Sequence, residues 1–192
     1  MNRRDFLRLG ATASLAMQLP GVLKAGETGG AGLPAALPPG PLTQVDVFVY
    51  GSTPGGIAAA VAAARQGCRV ILACPKKHAG GMLASGLGGL DAHRRDLSSG
   101  FVTEFRQRMQ DIYQRRKEAG APEWQLKARK RGGNEPSAVE AMFDAMLAEQ
   151  AGRLDHWRGN HLLAAATRNG RITEVSLESP DGTSRRVAAA RR

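Results

Sequence analysis

Cysteine is nearly absent from this 192-residue chain, which holds only Cys68 and Cys74. The two flank one apolar run, and at about 3.3 Å per residue they stand roughly 20 Å apart, beyond disulfide reach. No C-x-x-C pair occurs, so an iron–sulfur cluster would find no ligand set here. His78, His93, His156 and His161 are scattered, and no metal site is expected from them. Aromatic residues make up only 5 % of the chain; Trp124 and Trp157 read as packing residues rather than stacking platforms. Acidic residues are outnumbered by basic ones, 17 to 27, giving a formal net charge of +10. The excess is spread over the first residues, the Arg94–Arg131 segment and the last residues, without interleaved aromatics, so no nucleic-acid partner is expected. A long hydrophobic run is missing too. Leu9–Leu23 is short and only moderately apolar, which excludes a permanent membrane span there.

What the chain does have begins at its front. Asn2-Arg3-Arg4-Asp5-Phe6-Leu7-Arg8 is close to the twin-arginine signal pattern, and Leu23-Lys24-Ala25 ends in a small residue suited to cleavage. Residues 1–25 are therefore expected to be a twin-arginine signal peptide. The implied partner is the twin-arginine export machinery, and the implied destination is the periplasm. That route carries proteins already folded around a cofactor, which favours a tightly held one. Residues 26–43, rich in Gly, Pro and Ala without apolar periodicity, read as a flexible linker. Residues 44–192 leave room for one domain with a core of its own.

The richest stretch is Val45–Met82. A β-branched run, Val45 to Tyr50, reads as a buried strand. The glycine-rich turn Gly51-Ser52-Thr53-Pro54-Gly55-Gly56 follows, then an alanine-rich helix stopped by Gly67 and a second strand, Arg69 to Cys74. This is a βαβ unit in about 30 residues. Gly51 takes the first slot of a dinucleotide fingerprint, where the chain turns tightly out of the strand. Gly56 takes the last, where a missing side chain lets helix and strand pack closely, while Thr53 fills the middle slot. Pro54 suits a helix start, and the helix N-terminus offers free N–H groups to a diphosphate. The carboxylate that usually ends the second strand and binds ribose is absent: Cys74 stands there, followed by Lys76 and Lys77. These lysines fit either a 2′-phosphate or a solvated surface turn. A second glycine loop, His78-Ala79-Gly80-Gly81-Met82, would bring backbone amides to the cofactor without a Cβ in the way.

Together these motifs resemble the N-terminal part of the FAD-dependent oxidoreductase family related to the flavoprotein subunit of heterodisulfide reductase. Members read G-x-T-P-x-G-I-x-A-A at the first turn, which makes Thr53 a family trait. They continue with a strand ending in Glu-Pro, then H-x-G-G-M and S-G-L-G. His78, Gly80, Gly81, Met82, Ser85, Gly86, Leu87 and Gly88 match, whereas Cys74 replaces the glutamate. Asn134–Gln150 is similar to the family's E-P-x-x-A-E-x-x-F-x-x-M-L helix, and His161–Val187 to its β-meander. The resemblance implies FAD as cofactor, with Ser85 to Gly89 under the flavin ring. It assigns no catalytic acid or base. Some relatives carry an iron–sulfur cluster, for which this chain lacks ligands.

Beyond the βαβ unit, Leu97–Arg116 places Phe101, Phe105, Met109, Ile112 and Tyr113 at helical spacing. Ala119–Gly133 reads as a polar, basic connector. Ser137–Ala151 is a second amphipathic helix with Val139, Met142, Phe143, Met146 and Leu147 inward, and Ser137 with Glu140 has capping-box spacing. Strands are expected near Leu154–Trp157, Leu162–Thr167, Arg171–Leu177 and Arg185–Ala189, with hairpin turns at Asn169-Gly170 and Asp181-Gly182.

The expected fold class is α/β: a Rossmann-like FAD-binding domain with a parallel sheet, plus a small β-meander. By resemblance the chain stops where a closing I-D-A-T-x-x-G-D strand would begin, so a truncated domain without its substrate part is expected. The expected function is that of the FAD-binding portion of an exported oxidoreductase, its flavin accepting hydride from an organic substrate. A non-catalytic remnant and an NAD(P)-binding module are the alternatives.

Overall fold

The computed structural model describes residues 37–87, 100–123, 126 and 133–189. The expected signal peptide, Gly88 and Gly89, the first residues of the Leu97 helix, Trp124 and most of the basic connector lie outside the described residues.

The expected strand from Val45 to Tyr50 is two strands, β1 (Leu42–Val45) and β2 (Val47–Tyr50), which join different sheets. The break falls on Asp46. Its carboxylate accepts a hydrogen bond from the Arg69 amide at 2.8 Å, and its own amide and that of Val47 both donate to the Arg69 carbonyl. Strand β1 starts at Leu42, inside the stretch read as a linker; a parallel partner strand holds it, pairing Leu42 with Arg186.

The βαβ unit is as its residues imply. Helix α1 (Pro54–Arg65) crosses from β2 to β3 (Val70–Cys74), which pair in parallel from Val47–Val70 to Tyr50–Ala73. A single 3₁₀ turn, Gly81–Ala84, follows, then helices α2 (Gly100–Glu118) and α3 (Pro136–Ala148). Strand β4 (Leu154–Arg158) adds to the free side of β3 in parallel, giving the order β2-β3-β4. The remaining strands, β5 (His161–Arg168), β6 (Arg171–Glu178) and β7 (Ser184–Ala189), form an antiparallel meander that ends on β1. At the first hairpin both Asn169 and Gly170 have positive φ, as a type I′ turn requires. At the second, Asp181 accepts from the amide and hydroxyl of Thr183.

Every residue of β3 is buried, because the parallel sheet is covered on both faces. Val70 and Leu72 point with Leu154 into a core built from Ile57, Ala60 and Val61 of α1, Phe105 and Met109 of α2, and Met142, Phe143 and Met146 of α3. Ile71 and Ala73 point the other way, onto Val175, Leu177 and Val187 of the meander. The result is three layers: helices, parallel sheet, meander. The small side chains of α1 let that helix lie close on the sheet, and its buried residues recur at positions 57, 60, 61 and 64.

An ion-pair chain ties the helices together. Arg65 of α1 makes a bidentate pair with Glu104 of α2, both contacts at 2.7 Å, and Arg108 bridges Glu104 to Glu149 just past α3. The Arg65 hydrogen bond, opposed by burial and reinforced by Arg108, holds the Glu104 carboxyl down at about 2.

Helix α3 starts at Pro136, with Glu135 as N-cap, so the capping box does not form. Proline's fixed φ suits the first helical position and sets the start there. Ser137 instead donates to Glu135 at 2.5 Å, and Glu140 is used elsewhere. Among the described residues, no helix is long and apolar enough to cross a membrane.

Candidate cofactor site

The carboxyl ends of β2, β3 and β4 lie side by side, where an open parallel sheet binds its dinucleotide. Gly51 leaves β2 with φ +108°, a conformation that side chains disfavour, while its amide still donates to the Ala73 carbonyl at 2.7 Å. Thr53 caps α1: its hydroxyl accepts from the Gly56 amide at 3.2 Å and its carbonyl from Ile57 at 2.8 Å. Pro54 is the first helical residue and has no N–H to satisfy. The amides of Thr53 and Gly55 find no acceptor among the described residues, which leaves two donors at the positive end of the helix dipole.

Gly56 has a steric role. A Cβ there would stand 2.0 Å from the carbonyl oxygen of Gly51. The turn is closed on itself so tightly that no side chain fits at this position. Ser52 is buried within the turn, and its hydroxyl meets no partner at full hydrogen-bond geometry among the described residues.

The loop after β3 folds back onto this turn. Gly80 donates from its amide to the Ser52 carbonyl at 2.8 Å. Gly80 and Gly81 both have positive φ; a Cβ on Gly80 would strike the Phe143 ring at 2.9 Å, and one on Gly81 would reach Thr53 and Pro54 at 3.4 Å. The sequence-read residues Gly51 to Gly56 and Gly80 to Gly81 are thus brought into contact with one another. His78, with its side chain 76 % exposed, points to Glu140 of α3, its Nδ1 lying 3.0 and 3.1 Å from the two carboxylate oxygens. Met82 is exposed on the 3₁₀ turn. Ser85 and Gly86 follow that turn, the Ser85 amide donating to the Met82 carbonyl, and no hydrogen bond among the described residues joins them to the Gly51–Gly56 turn.

Cys74 is buried at the end of β3 as a free thiol. Burial pushes it up, but the loosely facing Ser52 hydroxyl, the Ser52 and Lys76 backbone and the Lys76 charge outweigh that, so the thiol sits below its ordinary range. No carboxylate occupies this position.

Three residues escaped the sequence reading. Glu140, assigned to a capping box, reaches back to the loop and also accepts from the Ala79 amide at 3.2 Å. Arg158, at the end of β4, donates to the Lys77 carbonyl at 3.0 Å and pairs with Asp144 of α3. Asn160 donates from its amide to the Cys74 carbonyl at 2.9 Å. Each partner lies far away in sequence; the E-P-x-x-A-E likeness of the α3 segment was the one signal for Glu140.

The donor set fits an FAD diphosphate: free amides at a helix start, a turn sealed by Gly56, and two positive-φ glycines beside it. The chain belongs to the FAD-dependent oxidoreductase family, whose model matches residues 46–192. No curated protein sequence matches it. Among solved structures, it is similar to Mycobacterium smegmatis Sdh1 in complex with UQ1, at 14 % identity and a TM-score of 0.50, over 78 % of this chain and 33 % of that one. The open conformation of a flavocytochrome c3 fumarate reductase gives 15 % identity, a TM-score of 0.50 and coverage of 78 % and 33 %. L-proline dehydrogenase from P. horikoshii gives 13 % and 0.47, over 79 % of this chain and 22 % of that one. The chain therefore spans between about a fifth and a third of the length of these structures. The two structures at a TM-score of 0.50 share with this chain a Rossmann-like α/β fold.

Proposed function

We propose that this chain is the FAD-binding portion of an exported oxidoreductase of the heterodisulfide-reductase-related type. The observation that carries the reading is the sealed Gly51–Gly56 turn facing the free end of α1, with Gly80 and Gly81 folded against it. In this reading the Thr53 and Gly55 amides and the α1 dipole hold the diphosphate, assisted by Ser52 and the Gly80–Gly81 backbone. Cys74 and His78 border the ribose side, and Met82, Ser85 and Gly86 the flavin side. When bound, the flavin supplies two-electron redox chemistry, accepting a hydride from an organic substrate. The chain's own residues bind and orient.

Export through the twin-arginine machinery to the periplasm is part of the proposal and rests on Arg3, Arg4, Phe6 and Leu7. Replacing both arginines by lysine is expected to trap the precursor inside the cell. Continued export by the general secretory route would refute that part.

Purified protein should show flavin absorbance, and the nucleotide released on denaturation should be FAD. Release of NADP instead would favour the second reading, an NAD(P)-binding module, which draws on Cys74 standing where a carboxylate usually does, with Lys76 behind it. Failure to bind either nucleotide would point to a non-catalytic remnant.

A further inference from the structure

Glu140 stands on α3, outside the βαβ unit, yet its carboxylate makes contacts to the loop that follows β3. It takes the Ala79 amide at 3.2 Å and the His78 ring at 3.0 and 3.1 Å, and Arg158 comes within 3.9 Å of it. Ala79 is wholly buried, so its amide has no access to water as an alternative partner. The next residue, Gly80, is bonded to Ser52, and Gly81 touches Thr53 and Pro54 at the cap of α1. From Glu140 to the α1 N-terminus there is thus an unbroken path: carboxylate, Ala79 amide, Gly80, Ser52. Arg158 braces the same loop from the other side through the Lys77 carbonyl, and Asp144, one turn beyond Glu140 on α3, holds Arg158 in place.

We propose that Glu140 is a positioning residue for the cofactor site, fastening the His78–Gly81 loop so that its glycines stay against the start of α1. This rests on the FAD reading above. Positive-φ glycines have many alternative conformations, and a loop holding three residues such as Ala79, Gly80 and Gly81 keeps one shape only when its amides are pinned. A charged acceptor on a rigid helix, shared by a backbone amide and a side chain, does this better than a neutral one. Without it the loop samples other shapes, and the apparent affinity falls by the fraction of time it spends in the competent one.

The test compares Glu140→Ala, Glu140→Gln and His78→Ala with Glu149→Ala, which removes an ion pair from the same region without touching the loop. Two readouts are taken on the full chain: amide hydrogen exchange over residues 76–83 without nucleotide, and FAD titration by flavin fluorescence. Glu140→Ala is expected to speed exchange in that segment and to raise the FAD dissociation constant about tenfold, as for a loop competent roughly a tenth of the time. Glu140→Gln, which keeps a neutral acceptor for Ala79, should recover part of both. His78→Ala, an exposed change that does not threaten the fold, should fall between, and Glu149→Ala should match the wild type in both. Unchanged exchange in Glu140→Ala and His78→Ala would overturn the proposal. So would faster exchange with unchanged FAD affinity. If the wild type itself binds no FAD, the functional reading fails, and the exchange comparison still decides whether Glu140 fastens the loop.

Discussion

The Cβ that Gly56 lacks would lie 2.0 Å from the carbonyl oxygen of Gly51, whereas a Cβ on Gly51 would meet nothing within 4 Å. Gly51 and Gly56 are therefore required for different reasons. Gly56→Ala forces backbone apart and is expected to destabilise by about 3 kcal/mol or more, at or beyond the upper end of overpacking costs. Gly51→Ala meets only the strain of φ +108°, of order 1–3 kcal/mol. Urea midpoints for the two variants should rank in that order. Gly51→Ala proving the more damaging would contradict the sealed-turn geometry.

Thr53→Val keeps the shape of the cap and removes its acceptor for the Gly56 amide. A loss of about 1 kcal/mol in stability is expected, the ordinary value of an N-cap. FAD affinity should change little, since the freed Gly56 amide faces the same end of α1. A stability identical to wild type would show that the cap hydrogen bond contributes nothing.

His156 gives the protein a pH dependence. Burial, and then the nearby Arg158 charge, hold its ring down at about 4, against the partial counteraction of Asp144; its Nε2 has no partner among the described residues. An unfolded chain takes up a proton at this ring near pH 6.5, while the native one stays neutral until about pH 4. Between those values the unfolded state binds more protons, so stability falls as pH drops from about 6.5 to about 4 and levels off below. His156→Gln should flatten the urea midpoint over that window. The carboxylate Glu104 acts lower, between its ordinary range and about 2, and is not touched by the substitution. An identical pH profile for both proteins would rule out the buried neutral ring.

Cys74→Glu would restore the carboxylate position at the end of β3. If ribose hydroxyls lie there, one hydrogen bond to a charged group is worth about 1.5–3 kcal/mol, or a tenfold or greater tightening of FAD. Calorimetric titration of both proteins measures it. Weaker binding by the glutamate variant would place the ribose elsewhere.

Much of the site was legible because its constraints are local. A glycine turn between an apolar run and an alanine-rich helix admits few conformations, and Gly51, Thr53 and Gly56 each have a role fixed within a few residues. The hairpins were legible for the same reason, since Asn169-Gly170 needs no distant partner to turn. Glu140 was misread because two of its possible jobs look alike in sequence: the capping spacing from Ser137 was present, but Pro136 claimed the helix start, and the carboxylate found the Ala79 amide 61 residues away. Strand β1 was illegible for a related reason. Pro41-Leu42-Thr43-Gln44 carries no strand pattern of its own, and only pairing with β7 makes it one.

That pairing also sets the order of events in assembly. Strand β1 is made before any other described element, yet β7, its one sheet partner among the described residues, is the last of the described strands. The chain must close a loop of 144 residues before Leu42 meets Arg186, and contacts so remote in sequence are slow to form. During synthesis, which proceeds from the N-terminus, β1 waits unpaired beside β2 and exposes backbone groups open to the wrong strand. Under the export proposed above, a leader would leave the ribosome first of all, while β1 stays without its partner until β7 has been made.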